Sequence, residues 1–141
     1  TIANLESPLA PGLTRDGSEL DDPGRRYDNA VYTAYPSFNV HPMLARGLVD
    51  SGVDLVTTAN NHALDRGPEG IDRTIRELRR AKLSFVGTRT QDDARADRTT
   101  TWSVITKAGP LRVAVVACTE WVNQKPDPLH QVLRCKTDRS W

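Results

Sequence analysis

One stretch constrains the fold more than any other: Val53 to Gly67, VDLVTTANNHALDRG. Val53, Leu55 and Val56 are apolar and β-forming, and Thr57 and Thr58 carry the extended run onward, so about five residues suit a buried central parallel strand. The apolar run then stops. Asn60, Asn61 and His62 follow at once, with Asp65 and Gly67 behind them. In open α/β sheets the ligand crevice lies beyond the carboxyl ends of the strands, so chemistry is expected at this turn.

The flanking chain supports a layered α/β sheet. Pro68 and Glu69 open a helix over about 68–82 in which Ile71, Ile75 and Leu78 form an apolar stripe ended by the amphipathic Lys82. Asp72, Arg73, Arg76, Glu77, Arg79 and Arg80 are read as facing water, with Asp72 and Arg76 as an i,i+4 pair. Leu83 to Val86 then gives a short strand stopped by Gly87. Strand, helix, strand in this order is a βαβ unit, which makes the sheet parallel. An earlier helix, about 42–51, starts at His41-Pro42, with Leu44, Leu48 and Val49 inward, Gly52 as its left-handed cap and His41 capping its start. Gln91 to Arg98 is polar and irregular. Thr100 to Thr106 and Leu111 to Cys118 read as a carboxyl-terminal hairpin at the sheet margin, turning at Lys107 to Pro110. Past it, Thr119, Glu120, Trp121 and Asn123 lie on the same edge as the other polar turns.

The amino-terminal residues Thr1 to Pro8, TIANLESP, look like the end of a strand that Pro8 stops. Asn4 and Glu6 share a face because side chains alternate along a strand. An amide oxygen and a carboxylate on one face suit a divalent cation, although from spacing alone a solvated edge strand is the preferred reading. From Leu9 to Pro36 no period holds, and a connection this long is uncommon unless functional or disordered. Within it Arg25 and Arg26 could bind a phosphate or a polyacidic substrate, against the ordinary reading of a solvated charge pair. The residue types around His62 leave two readings open. Imidazole beside amide and carboxylate is a usual set for a hydrolytic metal; alternatively Asn60, Asn61 and Asp65 only bond backbone groups in the turn.

Composition narrows the partners. The chain carries 19 basic and 18 acidic residues over 141 positions, so no overall field points to nucleic acid or a membrane surface. Cys118 and Cys135 lack the spacing of a metal pair and are read as buried or idle thiols in preference to a bridge.

At these residues the chain resembles the CapA-like proteins of capsular poly-γ-glutamate synthesis, whose domain is similar to a calcineurin-type metallophosphoesterase. The matching features are NLESP at Asn4 to Pro8, the segment from Phe38 through His41-Pro42, DLVTTANNHALDRG with Gly70, Thr74 and Leu78 following, and VGT at Val86 to Thr88. The resemblance implies a partial metallophosphoesterase-like domain over 1–141, because the family's upstream Gly-Asp strand and later histidine motifs are not among these residues. It implies that Asn61 is a metal ligand, that His62 sits near the leaving oxygen as the catalytic group, and that Asn4 and Glu6 occupy the second metal motif, where Asn replaces the usual Asp. The implied cofactor is one or more divalent ions such as Mn, Fe, Zn or Mg. The implied activity is hydrolysis of a phosphoester or an amide-linked polyanion; the alternative is a non-catalytic module that binds or exports polyglutamate, with Arg25, Arg26 and Arg66 meeting carboxylates. Membrane-bound capsule-synthesis partners, self-association through sheet edges and an extracytoplasmic place in the bacterial envelope follow from the same likeness.

Overall fold

The computed structural model describes residues 1–93, 99–106 and 108–135. Three short parallel strands form the central sheet: β1 (Ile2–Asn4), β2 (Leu55–Thr57) and β3 (Ser84–Val86), in the order β1-β2-β3. Ile2 pairs with Leu55 and Asn4 with Thr57; Leu55 pairs with Ser84 and Thr57 with Val86. The strand in the organising stretch is thus central, as its unbroken apolar character requires, and is shorter than the run Val53–Thr58, its last ladder bond being the Thr58 N–H to the Val86 carbonyl at 2.9 Å.

Two helices complete the layers. Helix α1 (Met43–Asp50) precedes β2, and α2 (Gly67–Arg80) is the crossover from β2 to β3. Successive residues of a strand point to opposite faces, and Leu55 and Val56, both fully buried, do so here. Leu55 packs with Ile71, Ile75, Val86, Leu64 and Val132; Val56 packs with Leu5, Leu9, Ala45, Leu78 and Leu83, with Leu48 and Val49 of α1 at the margin. Burial of each stabilises the fold by about 1.5–3 kcal/mol. The start of α1 is held by His41, whose Nδ1 accepts the Met43 N–H at 3.0 Å, and Gly52 closes it at φ +83°. Among the described residues no helix is long and apolar enough to cross a membrane.

Strands β4 (Thr99–Thr106) and β5 (Gly109–Val116) make the expected antiparallel hairpin, but with their own ladder, separate from the parallel sheet. Leu111 and Val116 of β5 are exposed, so its apolar run is not a buried strand. The irregular reading at 94–98 and the turn residue Lys107 lie outside the described residues.

Three further readings change. Asp72 does not face water with Arg76. It is buried, accepting the Gln91 N–H at 3.1 Å and the Gln131 amide at 2.8 Å, because the carboxyl-terminal segment folds back over α2. Cys118 and Cys135 are not idle thiols but a disulfide, since Thr119 pairs with Arg134 and brings the two segments alongside. The long loop is ordered by side chains instead of a period: the buried Asn39 amide donates to Ala10, Leu13 and Val31 carbonyls and its oxygen accepts the Ala10 N–H.

Candidate functional site

Because β1 and β2 are parallel neighbours in register, the turns that follow them leave the same edge of the sheet. Asn60 joins the two. Its amide nitrogen donates to the Leu5 carbonyl at 2.8 Å and to Asn4 Oδ1 at 3.2 Å, and its oxygen accepts the His62 N–H at 3.0 Å. Asn4 Oδ1 also accepts the Thr57 hydroxyl at 3.3 Å. The side chain of Asn60 therefore sets the turn geometry and draws the amino-terminal motif onto it, some fifty-six positions away.

His62 is buried and held from three sides. Its Nδ1 lies 2.7 Å from Asp65 Oδ2, and the same oxygen accepts the Phe38 N–H at 2.7 Å. The Phe38 ring meets the imidazole edge-on at 4.5 Å between centroids. Asn123 approaches from beyond the hairpin, with its Nδ2 3.4 Å from the same Nδ1 and its oxygen accepting the Trp121 indole N–H at 3.1 Å and the Asn61 amide at 3.5 Å. One ring nitrogen serves one strong partner, and a carboxylate at 2.7 Å outcompetes an amide at 3.4 Å. Nδ1 therefore carries the proton toward Asp65, and the neutral ring offers Nε2 as an acceptor.

The structure thus brings together Asn4, Asn60, Asn61, His62, Asp65 and Asn123. Glu6 stands at the same edge, exposed, in a small crevice with Leu5, Ser7, Thr58 and Ala63, and no hydrogen bond among the described residues joins it to Asn61 or His62. Arg66 is elsewhere in kind. It is buried, and all five of its N–H groups are used: Nε on the Leu13 carbonyl, Nη1 on Ser37 Oγ and the Asp65 carbonyl, Nη2 on the Val31 carbonyl and Thr33 Oγ1. Desolvation lowers its pKa, with the charge of Arg15 adding to the effect and Asp65 opposing it. No donor is left for a substrate carboxylate, so Arg66 clasps the long loop instead of meeting a polyanion. The next turn of α2 accommodates this clasp only because residue 70 is glycine: a Cβ there would lie 2.3 Å from the Arg66 Cβ. Arg25 and Arg26 line a separate groove that shares Phe38 as a wall.

Phe38 was not legible as a site residue; Trp121 was placed on the site's edge but given no role there, and the His62–Asp65 pair had a signal in its i,i+3 spacing. The metal expectation meets a clear test in the donor set. Glu6 supplies one carboxylate, Asn61 one amide oxygen and His62 one imidazole nitrogen; the Asn4 oxygen is already spent on Thr57 and Asn60. Among the described residues no three His, Cys, Asp or Glu side chains form a metal-binding group. A first-row divalent ion takes about four to six donors and needs its charge offset. These residues do not by themselves fit it.

A parallel sheet with a βαβ crossover and an Asn-Asn-His turn at its carboxyl edge defines a layered α/β domain of the metallophosphoesterase-like class. Within that class the chain belongs to the bacterial capsule synthesis protein family PGA_cap, whose pattern matches residues 1–140. A comparison with curated proteins gave no match.

Proposed function

We propose that this chain carries the proton-handling part of a hydrolase-like centre of capsule synthesis, acting on a phosphoester or an amide-linked polyanion such as poly-γ-glutamate. The observation that supports it is the buried His62–Asp65 pair at the carboxyl edge of the sheet. Asp65 fixes the ring and its tautomer, so that Nε2 takes a proton from an attacking water or, once protonated, gives one to the leaving oxygen. Asn61 offers an amide to a developing negative charge.

The donor count favours a second reading, a non-catalytic module that binds polyglutamate. The two separate by assay. Hydrolysis of bis-nitrophenyl phosphate and of poly-γ-glutamate is measured for the wild type and His62→Ala with added Mn, Fe, Zn or Mg, alongside metal content by plasma emission. Turnover that falls at least about a hundredfold in His62→Ala supports the hydrolase. Polymer binding without turnover under every ion overturns it in favour of the binding module.

A further inference from the structure

Beside the His62 centre, and separated from it by the Phe38 ring, lies a groove of about 400 Å³ walled by Tyr27, Tyr32, Phe38 and Val40, with Arg25, Arg26 and His41 among its charged or polar members. Its size falls in the range of small-ligand pockets, about 300–1,000 Å³, and so does its makeup, mostly apolar walls with few polar groups. We propose that this groove is a binding site for a small phosphorylated ligand with a planar ring, of the nucleoside monophosphate class.

Three observations carry the assignment. First, no hydrogen bond or ion pair among the described residues engages Arg25 or Arg26, whereas Arg46 and Arg80 pair with carboxylates, Arg73 with two of them, and Arg66 is saturated. Two adjacent free guanidinium groups match a phosphate in charge and in fork geometry. Second, the aromatic hydroxyls are already occupied. Tyr27 accepts the Ala34 N–H at 3.0 Å and donates to Asn29, and Tyr32 donates to Asp22 at 2.8 Å. Tyr27 is nonetheless 65 % exposed, so what it offers is a ring face, the partner that a planar heterocycle stacks on. The acids that flank the arginines in sequence are turned elsewhere, Asp22 to the Tyr32 hydroxyl and the Gly24 N–H and Asp28 to the Ala30, Val31 and Tyr32 N–H groups. Third, His41 accepts the Met43 N–H through Nδ1, so its neutral ring has the proton on Nε2, a donor available to a ring nitrogen or ribose hydroxyl. A γ-linked glutamate chain has carboxylates but no aromatic ring to stack, and leaves the aromatic walls unused.

The test is calorimetric titration of the protein with AMP, adenosine, inorganic phosphate and poly-γ-glutamate. AMP binds more tightly than adenosine or phosphate alone by at least about tenfold, and the binding weakens with salt. Arg25→Ala and Arg26→Ala each weaken AMP about tenfold, as does Tyr27→Ala. All three substituted positions are exposed, and an unaltered melting temperature verifies that each variant is folded. The proposal is overturned if AMP does not bind, if the arginine and tyrosine variants bind it as tightly as the wild type, or if poly-γ-glutamate binds through the arginines more tightly than AMP. Because His62 is unchanged in the binding arm, failure here is distinct from failure of the hydrolytic reading.

Discussion

His62 Nδ1 and Asp65 Oδ2 stand 2.7 Å apart, three positions apart in one turn, and the acid is 2 % exposed. The same carboxylate oxygen takes the Phe38 N–H, so Asp65 fixes both the imidazole and the aromatic ring packed against it. An amide can keep its oxygen in that place while losing the charge. Asp65→Asn is therefore expected to fold with nearly wild-type stability yet to lose hydrolytic turnover by about tenfold or more. Asp65→Ala, which leaves the Phe38 N–H without a partner, should lose about 1–3 kcal/mol of stability as well. Urea denaturation of the two variants, run beside the phosphodiester assay, checks both halves; equal stability loss in the two would contradict the geometry.

The guanidinium of Arg66 predicts a purely structural phenotype. Its five donors satisfy three carbonyls and two hydroxyls drawn from Leu13, Val31, Thr33, Ser37 and Asp65. Arg66→Met removes one partner from each of these buried acceptors, leaving the Leu13 and Val31 carbonyls to the Asn39 amide and the Asp65 carbonyl to the Ser37 hydroxyl, and should cost about 3 kcal/mol. Arg66→Lys supplies at most three donors from a single point and should recover only part of that. Binding of poly-γ-glutamate by the folded fraction is expected to be unaffected, and a selective loss of polymer binding at full stability would restore a substrate role.

How much of this was legible before the structure depends on whether the cause was local. The central strand could be read because a run of β-branched and apolar residues ending in polar ones has few other homes, and α2 because Ile71, Ile75 and Leu78 keep one face. The juxtaposition of Asn4 with the Asn-Asn-His turn follows from parallel neighbours, so it too was within reach. Asp72 was misplaced because its partner Gln131 comes from fifty-nine positions away. The role of Arg66 was hidden for another reason: its acceptors are mostly loop carbonyls, and backbone groups carry no sequence signature. Cysteine spacing likewise says nothing of whether two segments lie alongside each other until the chain is folded.

The Cys118–Cys135 bridge closes a segment of 17 positions that contains Trp121 and Asn123, the residues that lean on the His62 turn. Loop-closure entropy for a segment of this size is worth about 3 kcal/mol. The segment is also paired by backbone bonds from Leu133 to Gly87 and from Arg89 to Gln131, so reduction should weaken it without releasing it completely. The double variant Cys118→Ser/Cys135→Ser is expected to melt lower and to exchange the amides of 119–135 faster, leaving β2 and α2 protected. Hydrogen exchange read by mass spectrometry checks this; uniform deprotection of the whole chain would show instead that the bridge supports the core.

Asp28 gives the long loop a pH dependence whose sign can be worked out. Desolvation by the surrounding loop pulls its exposed carboxyl upward, but N–H donation from Tyr32, Val31 and Ala30 outweighs that and lowers it below its ordinary value of 3.8. A carboxyl lowered on folding contributes stability that is fully present above the unfolded value and is lost as pH falls through the folded one. Neutral pH therefore leaves the loop intact, and loosening is expected only below about pH 4. Its first consequence is release of the Ala30, Val31 and Tyr32 amides, and with them the Tyr32 wall of the basic groove. Titration of those three amides by NMR from about pH 6 to about pH 2 should give one shared transition with its midpoint under 3.8, absent in Asp28→Ala. A midpoint above that value, or a transition that survives in Asp28→Ala, would place the acid sensitivity elsewhere in the loop.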